Sequence, residues 1–166
     1  MYRLKNVESG RFEMEVKTGL LNPVYKSKKN PEFGYYEYLP ANYSNSELLY
    51  PMIIFLHGAG EVGNSRGNPE ILKRILKHGI PFLISKNMWK PSYPFIVISP
   101  QNEEYGWDSE RLRRFFEFLL ENYQIEAKRV YMTGISMGGF GVFSFLGNMV
   151  EIVELPLLCR FVEEVI

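Results

Sequence analysis

Scarcity narrows the function of this sequence before any motif does. It holds one cysteine (Cys159), one aspartate (Asp108) and two histidines (His57 and His78). A lone cysteine excludes an intrachain disulfide and a thiolate metal site, and it fits a reducing compartment. Two His and one Asp without ligand spacing argue against a metal centre, so neither metal nor cofactor is expected. Net charge is lacking too. Nineteen Lys and Arg balance nineteen Asp and Glu, so nothing draws the chain toward nucleic acid or anionic lipid. No apolar stretch approaches the length that spans a bilayer. Met1 to Lys17 alternates charge with apolar residues and has no apolar core of a signal peptide. The expectation is a cytoplasmic protein without a membrane span or a nucleic-acid partner.

What is present is globular material. The 166 residues are 46% hydrophobic and 23% charged, with eleven Tyr and twelve Phe. That composition argues against disorder and for one domain over 1–166 with a real core. Phe12 to Val16 and Tyr35 to Leu39 alternate and read as half-buried strands forming an antiparallel hairpin. Asn22 to Pro31 reads as a polar turn region. Met52 to Leu56 and Phe95 to Ser99 are continuous apolar runs, as expected of strands buried on both faces. Between them Asn68 caps a helix with Pro69 in its first turn and a stripe of Ile71, Leu72, Ile75 and Leu76. Gly79 and Pro81 are expected to stop that helix.

Asp108 caps the clearest helix. Leu112, Phe115, Phe116, Leu119, Leu120 and Tyr123 share one face, and Glu110–Arg114 and Arg113–Glu117 pair on the other. Val130 to Thr133 reads as another strand, followed by a glycine-rich helix. Strands alternating with helices predict parallel βαβ units.

Two turns carry the chemistry. Gly134-x-Ser136-x-Gly138, between a strand and a helix, has the form of a nucleophile elbow. Ser136 would be held in a strained conformation with its hydroxyl above the sheet, where Gly134 and Gly138 let strand and helix approach. The amide of Met137 would face a developing oxyanion from a helix N-terminus. The competing reading is a glycine-rich βα turn without chemistry. His57-Gly58-Ala59-Gly60 follows the first buried strand, at the sheet end where ligands bind in open α/β folds. The amide of Ala59 is the second oxyanion candidate. His57 reads as a brace hydrogen-bonded to nearby backbone rather than as a base. Glu61 fixes the turn after Gly60, and His78 suits the end of its helix. Glu61 and Trp107 are candidates to line a substrate cleft. Gly63 to Asn68 is a polar loop near the presumed site.

The series Phe55-Leu56-His57-Gly58-Ala59-Gly60-Glu61, Ser99-Pro100-Gln101, Trp107-Asp108-Ser109 and Val130-Tyr131-Met132-Thr133-Gly134-Ile135-Ser136-Met137-Gly138-Gly139 resembles the α/β-hydrolase superfamily. Within it the chain is similar to the phospholipase/carboxylesterase-like branch, near feruloyl-esterase-like and dienelactone-hydrolase-like proteins and those labelled predicted peptidases. The resemblance covers about Phe12 to Asn148. It implies an α/β-hydrolase fold: a mostly parallel sheet, an antiparallel N-terminal hairpin and helices on both faces. It implies Ser136 as nucleophile, the Met137 and Ala59 amides as the oxyanion hole, and hydrolysis of a small ester or peptide through an acyl-serine.

It also implies an acid and a histidine after the serine. Here the sequence departs. Met137 to Ile166 contains no Asp and no His, and Glu151, Glu154, Glu163 and Glu164 are its only carboxylates. The fold is expected to break off after the nucleophile helix, with residues 149–166 an atypical tail. Three functions follow: a serine hydrolase weak or inactive alone, a hydrolase whose histidine is His57, His78 or a partner chain's, and a non-enzymatic interaction module on the same fold.

Overall fold

The computed structural model describes residues 4–6, 12–14 and 17–150, apart from 29, 31, 46 and 67. Two short strands, β1 (Leu4–Asn6) and β2 (Phe12–Met14), pair antiparallel in a small sheet. The main sheet has five strands: β3 (Leu21–Val24), β4 (Gly34–Tyr38), β5 (Tyr50–Leu56), β6 (Ile96–Gln101) and β7 (Ile125–Gly134), in the order β3-β4-β6-β5-β7. Strands β6, β5 and β7 run parallel, and β3 and β4 add an antiparallel hairpin to one side.

The hairpin differs from expectation in its first strand. The partner of β4 is β3, with Leu21 opposite Tyr38 and Val24 opposite Tyr35, whereas Phe12–Met14 pairs with β1. Residues 15 and 16, also assigned to that strand, lie outside the described residues. Asn22 and Pro23 made this stretch read as a turn. Pro23 is tolerated because β3 is an edge strand, where a missing donor costs little. Asn22 is buried, and its side-chain amide donates to the carbonyl of Lys17 at 2.6 Å.

Both faces of the sheet are covered, as the α/β reading requires. Strand alternation sends Tyr35 to one cluster and Tyr36 to the other. The larger core joins Tyr35, Met52, Ile54, Leu56, Ile96, Ile98, Val130 and Met132 to α2 (Ser109–Asn122) and α3 (Met137–Val150) through Leu112, Phe115, Phe116, Leu119, Val142 and Phe145. On the other face, Leu72 and Ile75 of a 3-10 helix, Pro69–Lys77, pack on Tyr36. Asn68 caps that helix by accepting the Glu70 amide at 3.0 Å.

The 3-10 helix ends at Lys77, just before Gly79, as the sequence predicts, but Gly79 and Pro81 do more than stop it. They open α1 (Gly79–Ser85). Gly79 has φ +62, and a Cβ there would lie 2.1 Å from the Phe55 ring, so glycine lets the chain turn closely over the sheet. Pro81 is harmless in a first turn, whose amides have no helical acceptor. Among the described residues no helix is long and apolar enough to cross a membrane. The tail from 151 lies outside them.

Candidate active site

Strands β5 and β7 lie side by side, and their last residues, Leu56 and Gly134, are in register. Each runs into a glycine turn, so the two turns meet. Ser136 sits between the end of β7 and the start of α3 with φ +52, one of only two non-glycine residues with positive φ among those described. Such a conformation stores roughly 1–3 kcal/mol and persists only where the surroundings over-determine it. Here they do. The amide of Ile135 donates to Leu56 O at 3.1 Å, that of Gly138 to Ile135 O at 2.8 Å, and that of Phe140 to Ser136 O at 3.2 Å. A Cβ on Gly138 would lie 2.0 Å from Leu56 O, and one on Gly134 would lie 2.5 Å from the Gly138 carbonyl carbon. Only glycine fits at either place. Ser136 itself is exposed.

The turn after β5 packs against this one. A Cβ on Gly58 would sit 3.6 Å from Ser136 Cβ and 3.4 Å from Ile135 O. Ala59 opens a 3-10 turn, Ala59–Glu61, and Met137 opens α3. As first residues of helical turns, both have amides without an acceptor inside their own helix. Glu61 is 5% exposed, and its carboxylate accepts the Gly58 amide at 3.0 Å. It braces the turn from below rather than lining a cleft. Gly60 is exposed, and a Cβ there would meet no atom within 4 Å, so packing does not demand glycine at that position.

His57 is 1% exposed and has both ring nitrogens engaged by backbone. Its Nε2 accepts the Asn102 amide at 2.9 Å. That fixes the proton on Nδ1, which donates to Gly58 O at 2.6 Å. Burial lowers its pKa, outweighing the Gly58 hydrogen bond and the charge of Glu61, so the ring stays neutral. Neither nitrogen is left for Ser136. His78, the other imidazole in the sequence, faces Glu61 Oε1 at 3.6 Å and is 56% exposed in its side chain. Trp107 is buried, packs its ring 4.9 Å from that of His57, and donates its indole N–H to His57 O at 3.2 Å.

Asn102 escaped the sequence reading. It is 2% exposed. Its side-chain amide donates to the carbonyls of Glu104, at 3.0 Å, and Gly106. Its Oδ1 accepts the Glu103 amide at 3.0 Å and Arg111 Nη1 at 3.4 Å. One side chain thus templates the loop from β6 to Trp107. The only sequence signal was an Asn directly after a strand ending in Pro-Gln, and its partners are backbone groups no spacing rule anticipates. The amide of Gly106 reaches Met137 Sδ at 3.1 Å, so this loop borders the Ser136 turn. Beside it lies a cavity of about 260 Å³, bordered by Asn102, Tyr105, Trp107, Asp108 and Arg111 among others. Trp107 thus reaches a cavity wall while remaining mostly core. Among the described residues no group of three His, Cys, Asp or Glu stands where it could hold a metal ion.

No family model matches the sequence, and no curated protein matches it. Solved structures do. A thermostable esterase superposes with TM-score 0.52 at 23% identity, covering 80% of this chain and 38% of its own. An acetyl xylan esterase from Aspergillus awamori gives TM-score 0.52 at 20% identity, covering 79% and 48%. A feruloyl esterase module from Clostridium thermocellum gives TM-score 0.51 at 17% identity, covering 81% and 52%. The chain therefore has the α/β-hydrolase fold, and it spans between 38% and 52% of the length of these structures.

Proposed function

We propose that the chain carries the nucleophile half of a serine hydrolase acting on ester bonds through an acyl-Ser136 intermediate. The observation that carries this reading is the strained Ser136 turn, with φ +52 and an exposed serine between two glycines that admit no side chain. Strain maintained by the surroundings at an exposed serine argues for use. In the proposed reaction the Ser136 hydroxyl oxygen attacks the ester carbonyl, the amides of Met137 and Ala59 stabilise the resulting oxyanion, and the alcohol leaves as an acyl-serine forms. Water then releases the acid. The likeness in fold to esterases supports ester chemistry over a turn without function.

A serine hydroxyl needs a base to take its proton. With His57 held by backbone on both nitrogens and His78 turned to Glu61, the sequence offers no free imidazole beside Ser136. That observation favours a base from outside this sequence, in a longer protein or a partner chain, and slow turnover by the chain alone. The test is to incubate the purified chain with an excess of an activated aryl acetate and map acetylation by mass spectrometry. Acetyl-Ser136, absent in Ser136→Ala, is expected. Acetylation confined to lysines, equal in both proteins, would overturn the assignment.

A further inference from the structure

The turn that carries the Ala59 amide is anchored from the end of β6. Gln101 closes that strand and Asn102 follows it. Between them they bond the turn at its start, middle and end. The Asn102 amide donates to His57 Nε2 at 2.9 Å. Gln101 Nε2 donates to Glu61 O at 3.0 Å, on the last residue of the 3-10 turn Ala59–Glu61. The Gly63 amide donates to Asn102 O at 2.9 Å. Only the middle bond has a side chain as its donor. Gln101 is 1% exposed, and its Nε2 also donates to Ile71 O at 2.8 Å, in the 3-10 helix Pro69–Lys77. Its Oε1 is buried without a hydrogen-bond partner, which is costly. Gln101 thus serves as a double donor; a flipped amide would set its oxygen against two carbonyl oxygens. The turn needs this hold. Its own bond, from the Glu61 amide to Gly58 O, is long at 3.3 Å. Ala59 and Gly60 are exposed, so packing does not fix them from outside.

We infer that Gln101 is a positioning residue: by holding Glu61 O it sets the direction of the Ala59 amide, and with it the strength of the oxyanion site beside Ser136. The inference rests on the proposed roles of Ser136 and Ala59. Gln101→Met keeps much of the shape and loses both donors. Should that variant not fold, Gln101→Asn keeps a buried amide but draws it back from Glu61 O. Phe116→Leu, in α2, is the control for lost stability without a change at the turn. Three quantities are measured in each: the urea midpoint, the amide resonance of Ala59 by NMR, and the rate of Ser136 acetylation by an activated aryl acetate. In Gln101→Met the Ala59 resonance is expected to shift and broaden, and acetylation to slow at least about tenfold, part of what a lost oxyanion donor costs. Phe116→Leu is expected to lower the midpoint and leave resonance and rate within about twofold of wild type. An unmoved Ala59 resonance, a moved resonance with the full acetylation rate, or an equal loss of rate in Phe116→Leu would overturn the inference. Failure of wild-type Ser136 to acetylate would overturn the nucleophile instead, and the Ala59 resonance would still decide what Gln101 holds.

Discussion

His57 shows how a titratable side chain is turned into a structural one. Its two hydrogen bonds require the neutral Nδ1-protonated ring, and burial keeps its pKa below the ordinary value. The unfolded imidazole takes a proton first as pH falls. The unfolded state therefore binds more protons below about pH 6.5, and stability is lost as pH drops through that value toward the folded pKa. Denaturation midpoints measured from about pH 8 to pH 5 should fall across this window in the wild type. In His57→Gln the histidine share of that slope should vanish. Identical slopes would mean that the ring is not held neutral. A second expectation at this scale concerns Gly138. The Cβ of Gly138→Ala would meet Leu56 O at 2.0 Å, and main chain cannot yield as a side-chain tip can. Thermal unfolding should show a loss of about 3 kcal/mol or more, beyond the usual range of point mutants. A melting temperature within a degree or two of wild type would refute the close approach.

Among the elements, α2 was the most legible. Its stripe of Leu112, Phe115, Phe116 and Leu119 is buried, Asp108 accepts the Arg111 amide at 2.7 Å, and Arg113 bonds both Glu110 and Glu117. Asp108→Ala should cost about 1 kcal/mol, read from urea midpoints, while Asp108→Asn keeps most of the stability. Equal losses in the two variants would mean that charge, not the cap, is what Asp108 supplies. Legibility fell where one residue misled. Pro23 hid an edge strand, and Gly79 was legible as the end of the 3-10 helix but not as the tight point over Phe55 from which α1 starts. The tie of β4 to α2 was also invisible. There the Tyr123 hydroxyl bonds Tyr35 at 2.7 Å and the buried Glu37 carboxylate, whose pKa burial raises. Three polar groups spread over nearly ninety positions leave no local pattern.

For the whole molecule, the two glycine turns were readable because each follows a strand in a recognisable order. What locks them together was not. That work is done by the Ile135 amide on Leu56 O and the Asn102 backbone amide on His57 Nε2, contacts that exist only once β5 lies between β6 and β7. If the chain is a hydrolase lacking only its base, the base can be offered in solution. Added imidazole should raise the rate of aryl acetate hydrolysis by the wild-type chain above the rate it gives with Ser136→Ala. The difference should grow with the unprotonated imidazole concentration. Indistinguishable rates at every concentration would favour an interaction module on the same fold.

The bond from Ile135 to Leu56 has a kinetic meaning as well. It joins residues separated by nearly half the chain, and the strands it links are parallel, so no local hairpin can nucleate them. The left-handed turn at Ser136 therefore has nothing to hold it until β5, β6 and β7 have assembled. In a refolding experiment far-ultraviolet signal from α2 should return early, and reactivity at Ser136 only in the last phase. The serine thus acts as a clock on its own fold: a chain that has recovered its helices but not its parallel sheet contains every residue of the two turns and neither turn.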